Sequence, residues 1–333
     1  MVYHMKVSII IKALNEEKNI VRAIESALAA VGKVGSGEVI LADSLSTDRT
    51  VDLANQFPMR IVQLINPQDR CCGVGAELGY RIALGEYVYI LDADMELDGD
   101  FLVAAVAALD ADPSLGGVGG VIEEMYITNA EFRRRTEDDI FKFGEVDCLN
   151  MGGLYRKSAV EQIEYLTNRN LHSYEEFELG LRLRANGWRL QRLNLQAVKH
   201  YGHTDTSFRL LWRRWCGRYI WGAGELLREA WGKPYLRAAL KGVVQYRLSL
   251  VVGVWWLSLL LSAIGGFYHP LGWWIFTLLL LVPLLFGVFR RKSLMDGLYM
   301  VVSQNLHTAG VIMGFFSARR GDPAQSPEFR TVK

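Results

Sequence analysis

A chain of 333 residues, 50% hydrophobic and 22% charged, exceeds one average domain and carries enough apolar material for a sizeable core. Its net charge of +1 gives no global argument for a nucleic-acid partner. Its four cysteines show neither a Cys-x-x-Cys motif nor the density of a disulfide scaffold, which fits a reducing compartment.

The first apolar run, Val7 to Ile11, is interrupted by Lys12 and followed by Asn15-Glu16-Glu17. It is too short for a signal sequence and reads as a strand over Lys6 to Ile11. A helix over Glu17 to Ala30, a strand over Glu38 to Ala42, a helix over Thr47 to Gln56 and a strand over Arg60 to Ile65 follow. A helix over Ala76 to Ala83 and a strand over Tyr87 to Leu91 complete the pattern. Repeated strand and helix units predict an α/β fold with a mostly parallel, Rossmann-like sheet covered by helices. Ser46-Thr47-Asp48 supplies helix-capping chemistry, which accounts for Asp48. Gly73-Val-Gly75 imitates a dinucleotide fingerprint but does not directly follow a strand, so it reads as a turn with close helix packing. That placement argues against a dinucleotide oxidoreductase.

The run Tyr87 to Leu91 ends in Asp92-Ala-Asp94, two carboxylates at the carboxyl end of a buried strand, where open α/β sheets bind ligands. Carboxylate oxygens suit Mg²⁺ or Mn²⁺, and an ion held by one or two side chains keeps positions free for substrate phosphates. Farther on, Gly116 to Gly120 and Asn150 to Gly153 read as tight loops, and Glu175-Glu176-Phe-Glu178 begins an acidic helix in which Glu178 can pair with Arg182 on a surface face.

The carboxyl third changes solvent. Between 206 and 247, Arg209, Arg213, Arg214 and Arg218 interleave with Trp212, Trp215, Tyr219 and Trp221, a composition suited to lipid headgroups. Leu248 to Phe267 and Leu271 to Phe289 are each long enough to cross a bilayer, which takes roughly 20 apolar residues. Basic residues flank both, so the positive-inside rule predicts a hairpin with both flanks in the cytosol, in a multi-pass inner-membrane protein. The segment Leu294 to Phe316 carries Asp296, Gln304, Asn305 and His307 and reads as a re-entrant or interfacial helix; if it spans, its polar residues face protein or a cavity. Expected domains are 1–205 catalytic, 206–247 interfacial, 248–316 membrane, and a loose tail over 317–333.

In order, Val7 to Glu17, Leu41-Ala-Asp43, Asp92-Ala-Asp94 and Glu175-Glu176-Phe-Glu178-Leu resemble a membrane-anchored, bacterial-type family 2 glycosyltransferase with the GT-A fold, over roughly Lys6 to His200. The resemblance implies inverting transfer of a sugar from a nucleotide diphosphate sugar to a lipid-linked or glycan acceptor, in polysaccharide or glycolipid biosynthesis. It implies that Ala13, Leu14 and Glu16 line the base and ribose pocket, though Ala13 and Leu14 depart from the family's usual residues and an aromatic contact is lost. Asp43 would bind the base, Asp94 the divalent ion, and Asp92 the ribose or the metal and its water. Glu176 matches the general base, with Glu175 as a possible substitute. Arg70 and His200 are further candidates, for the donor diphosphate and for the metal. Arg213-Arg214-Trp215 is similar to the Gln-x-x-Arg-Trp motif of processive synthases, but Leu211 occupies the Gln position, which does not support processivity. The alternatives are a polyprenyl-phosphate glycosyltransferase, whose ionised acceptor needs no base, and a non-catalytic sugar-nucleotide-binding membrane scaffold.

Overall fold

A computed structural model describes residues 5–126, 142–202 and 205–333. The chain divides into two compact units: one holds the described residues up to 202 together with 318–333, the other holds 205–317.

The first unit is built on a ten-stranded sheet. In chain order its elements begin β1 (Val7–Ala13), α1 (Ile20–Val34), β2 (Gly37–Asp43), α2 (Thr50–Ala54), β3 (Arg60–Leu64), α3 (Cys72–Ile82), β4 (Tyr87–Asp92), β5 (Met95–Leu97) and α4 (Gly99–Ala111). They continue with β6 (Leu115–Glu124), β7 (Gly144–Val146), β8 (Gly153–Arg156), α5 (Lys157–Glu161), α6 (Glu175–Ala185) and β9 (Arg189–His200), and β10 (Phe329–Thr331) closes the chain. The strand order is β10-β3-β2-β1-β4-β8-β6-β9-β5, with β7 on β9. β3, β2, β1 and β4 run parallel, as the alternating pattern predicts. Beyond β4 the sheet is mixed, because β8 runs antiparallel to both β4 and β6, and β5, β7 and β10 are also antiparallel to their neighbours.

The central strands are buried on both faces, which is why they read as continuous apolar runs rather than alternating ones. Ile9 and Ile11 of β1 and Tyr89 and Leu91 of β4 pack into one core with Ile20, Ile24 and Phe101. Ile10 and Ile90 face the other side, with Val74, Leu78, Leu179 and Leu183. Strand periodicity carries Lys12 and Asp92 onto that second face, and they are direct partners in the β1–β4 register.

Two expectations are corrected. Gly116 to Gly120 is no loop but the first half of β6. Its glycines are there for space: a Cβ at Gly120 would lie 2.6 Å from the Leu195 carbonyl, and one at Gly117 2.9 Å from the Tyr155 ring. The segment 317–333 is no loose tail, because it returns to the sheet as β10, paired with β3.

The second unit contains α7 (Ser207–Cys216), α8 (Gly222–Ala230), α9 (Leu236–Gly242), α10 (Val244–Tyr268), α11 (Leu271–Arg291) and α12 (Leu294–Phe316). α10 and α11 are long and apolar enough to cross a membrane. Their Leu, Val, Trp and Phe side chains are largely exposed, Phe267 and Phe289 at 80% and 86%. α12 is one continuous helix that packs on α8, α10 and α11. Small residues permit the close approach, since a Cβ at Gly314 would lie 2.1 Å from the Trp221 carbonyl. The polar Asn305 of α12 accepts from Trp256 Nε1 at 2.7 Å, so this polar residue does face protein.

Candidate active site

The site forms at the carboxyl ends of β1, β2 and β4. β1 runs into a turn at Asn15, which takes a left-handed backbone (φ 58) that asparagine tolerates better than most residues. This turn is stitched to the loop after β2: Asn15 N donates to Ser46 Oγ at 2.9 Å, Thr47 N to Asn15 Oδ1 at 2.7 Å, and Glu16 N to Thr50 Oγ1 at 2.8 Å. Asp48 accepts from Thr50 N at 3.0 Å in a turn just ahead of α2, whose N-cap is Arg49 rather than the expected Ser46-Thr47-Asp48.

Lys12 is the hub of the acidic groups. Its Nζ lies 2.8 Å from Asp92 Oδ1, 3.2 Å from Glu175 Oε1 and 3.9 Å from Glu176 Oε1. Burial disfavours its charge, but the three carboxylates outweigh burial and hold the ammonium protonated well above its ordinary range. The space beside it comes from Gly75 of α3, whose missing Cβ would sit 3.3 Å from the lysine stem. Gly79 lies against Ile10 in the same way, so the glycines of this helix serve packing against β1 rather than a dinucleotide.

Glu175 and Glu176 open α6 and are buried. Burial pushes the Glu176 carboxyl up to about 8; Lys12 opposes this, and the charges of Glu175 and Asp92 add to it. Its Oε2 is buried with no hydrogen-bond partner among the described residues, a condition that calls for a ligand or water. Glu178 pairs with Arg182 through Nε at 2.8 Å, as the spacing predicts, but both side chains are interior rather than on a surface face. Arg182 also donates to the carbonyls of Tyr165 and Leu166, which fixes the loop that delivers the glutamate pair.

Asp94 follows β4 and meets His200 at the end of β9, because β5 and β9 pair with Met95 opposite His200. His200 Nε2 is 3.3 Å from Asp94 Oδ2, and its Nδ1 is 2.6 Å from Glu124 Oε2. Burial lowers the imidazole's proton affinity, but the two carboxylates prevail and push it up to about 10. Glu16 lies near the same charges. Burial raises its carboxyl to about 7, against a hydrogen bond from Asn19 and with help from Asp94, Asp92 and Asp48.

The remaining candidates sit at the ends of β1 and β2 and in the loop after β3. Ala13 ends β1 and is buried, while Leu14 is exposed. Asp43 is wholly buried at the end of β2; its Oδ2 accepts from Ser46 N at 3.0 Å and Gln63 Nε2 at 2.7 Å, and its Oδ1 has no partner among the described residues. Arg70 donates Nε to the Ser44 carbonyl and Nη2 to that of Leu45, so it props the loop after β2. In the second unit Arg213 pairs with Asp205 at 2.8 Å and Arg214 stacks over the Tyr219 ring.

Among the described residues no group of three or more His, Cys, Asp or Glu could by itself hold a metal ion. Asp94 and, once its imidazolium gives up the Nε2 proton, His200 would offer two donors, and Glu124 at Nδ1 would orient the imidazole from behind. Two protein donors suit a Mg²⁺ or Mn²⁺ ion whose other positions belong to phosphate and water, so these residues fit such an ion. Asp92 is turned to Lys12 instead.

The glycosyl transferase family 2 model matches residues 8–164, and the glycosyl transferase family group 2 model matches 87–290, more than half of the chain. The chain belongs to the family 2 glycosyltransferases. This transferase is similar to a dolichyl N-acetyl-alpha-D-glucosaminyl phosphate 3-beta-D-2,3-diacetamido-2,3-dideoxy-beta-D-glucuronosyltransferase of Methanococcus voltae, 23% identical over 55% of this chain and 63% of that protein. It is also similar to the succinoglycan biosynthesis protein ExoO of Rhizobium meliloti (strain 1021), 35% identical over 32% of this chain and 30% of that one. The transferase thus spans less than two thirds of the length of either relative. In fold it matches residues 1–349 of S. aureus TarS in complex with UDP-GlcNAc (TM-score 0.54, 18% identity, 93% and 91% coverage). It also matches the mannosyltransferase PcManGT of Pyrobaculum calidifontis in complex with GDP-Man and Mn²⁺ (TM-score 0.56, 17% identity, 95% and 88% coverage). These likenesses give the transferase the GT-A fold.

Sequence reasoning missed Lys12 and Glu124 as members of the site. The signal for Lys12 was present, an ionisable residue closing an otherwise apolar strand. For Glu124 there was none, because it meets His200 only through the β6–β9 register.

Proposed function

We propose that the protein is a metal-dependent, inverting glycosyltransferase that moves a sugar from a nucleotide diphosphate sugar to a lipid-linked or glycan acceptor at the cytosolic face of a membrane. The observation that carries this reading is Lys12, which gathers Asp92, Glu175 and Glu176 within 3.9 Å of one ammonium. Asp92, at the end of β4, and the acidic start of α6 are thereby drawn to one ammonium although they are far apart in the chain.

In the proposed reaction the acceptor hydroxyl oxygen attacks the anomeric carbon as the bond from that carbon to the diphosphate oxygen breaks. The bonding pair leaves on the diphosphate, and the hydroxyl proton passes to Glu176 Oε2, the unpartnered carboxylate oxygen. Glu175, held closer to Lys12, positions rather than accepts. Asp94 and His200 would hold the divalent ion, with Glu124 fixing the imidazole. A bound ion supplies positive charge against the diphosphate as it departs. Asp43, through its free Oδ1, would receive a base N–H, and Ala13, Leu14 and Glu16 would flank base and ribose.

Attachment through α10 and α11, with polysaccharide or glycolipid synthesis as the setting, is favoured by their exposed apolar faces and by the basic, aromatic segment ahead of them. The names of the two relatives, one acting on a dolichyl-linked sugar and one in succinoglycan synthesis, accord with such acceptors. A thermal-shift screen of UDP, GDP, ADP and CDP with and without Mn²⁺ tests the donor assignment. Stabilisation by one nucleotide that grows with Mn²⁺ is expected, and a flat response to all four contradicts it.

A further inference from the structure

β10 brings a residue from the far end of the chain to the nucleotide side of the sheet. In the β10–β3 ladder Arg330 stands opposite Gln63, in the β3–β2 ladder Gln63 stands opposite Asp43, and in the β2–β1 ladder Asp43 stands opposite Ala13. The four residues form one row across four adjacent strands. Polar contacts run along it: Arg330 Nε donates to Gln63 Oε1 at 3.0 Å, and Gln63 Nε2 donates to Asp43 Oδ2 at 2.7 Å.

The row has a polarity that its residue types enforce. A guanidinium can only donate and a carboxylate can only accept, so the amide between them has one satisfactory orientation. Without Arg330 the Gln63 amide loses the donor on its oxygen and is held only through Nε2, so it is free to swing away from the Asp43 carboxylate. Asp43 would then lose the contact that aims its unpartnered Oδ1. From this geometry we infer that Arg330 is a positioning residue for nucleotide recognition: it orients Gln63, which orients Asp43 toward the base of a nucleoside diphosphate. The inference rests on the donor reading above, in which Asp43 meets the base.

Calorimetric titration of the full chain in detergent with UDP, GDP, ADP and CDP, each with Mn²⁺, tests it on wild type, D43A, R330M, R330K and the D43A/R330M pair. For the nucleotide that wild type binds best, R330M should weaken binding about fivefold, the worth of one hydrogen bond. R330K, still donor-only, should stay within about twofold of wild type. The double variant should bind no worse than D43A, because Arg330 acts through Asp43. If R330M fails to fold, R330Q, whose amide has no enforced polarity, should show the same loss. Weakened binding in D43A beside wild-type binding in R330M, or additive losses in the pair, overturns the role of Arg330 and leaves the base pocket standing. Wild-type binding in D43A, or no nucleotide binding at all, overturns the donor reading and this inference with it.

Discussion

Lys12 and Asp92 are direct neighbours across the β1–β4 ladder, and their side chains meet at 2.8 Å on the same face of the sheet. The pair joins the end of β4 to the acidic start of α6, since the same ammonium reaches Glu175. Replacing Lys12 with Met leaves buried carboxylates without a counter-charge, so K12M should destabilise the first unit by roughly 3–5 kcal/mol. It should also abolish transfer. A denaturation midpoint equal to that of wild type would contradict the hub role.

The two glutamates should separate in kinetics. E176Q should lower kcat by about 10² to 10⁴-fold, the usual contribution of a positioned general base, with nucleotide affinity unchanged. E175Q should cost less, because Glu175 is tied to Lys12 while Glu176 Oε2 is free. Steady-state transfer rates with saturating donor decide this. Full activity in E176Q would point to an acceptor that is already ionised, such as a polyprenyl phosphate, which needs no base.

The rate should also depend on pH through Glu176. Its carboxyl, raised by burial to about 8, is protonated at neutral pH, and a base must be ionised. Activity should therefore climb about tenfold per pH unit below 8 and level off above it. Stability follows the opposite course. The folded state keeps a proton that the unfolded chain releases near the ordinary value of 4.5, so this contribution is full below 4.5 and is lost as pH rises through about 8. Thermal midpoints of wild type and E176Q measured across that window should diverge toward high pH, and parallel curves would count against it.

Glu124 should matter to the metal without touching it. It accepts at 2.6 Å from the His200 ring nitrogen opposite the one facing Asp94. E124Q should raise the Mn²⁺ concentration for half-maximal transfer about 10- to 100-fold, as losses of such outer carboxylates do. An unchanged Mn²⁺ requirement would place the ion elsewhere.

Much of this arrangement was legible in the chain. β1 to β4 and their helices follow from apolar runs and capping residues, because parallel strands buried on both faces are written as short continuous hydrophobic stretches. Asp43, Asp92, Asp94 and the glutamate pair were visible as charges at element ends. What was hidden lies in long-range register. β6 reads as a loop because its glycines answer to Phe101, Tyr155 and Leu195, residues distant in sequence. The last residues read as a tail because a three-residue strand gains its identity only from β3. Arg70 reads as a phosphate contact, yet two of its donors serve the carbonyls of Ser44 and Leu45.

The most direct measurement of the central claim is transfer of radiolabelled sugar from nucleotide diphosphate sugars in membranes carrying the wild-type chain or D94A, with Mn²⁺ or with chelator. Label should move into the lipid or glycan fraction only with wild-type protein and metal, because Asp94 and His200 would hold the ion against the departing diphosphate. Undiminished transfer by D94A, or by wild type in chelator, would contradict the account.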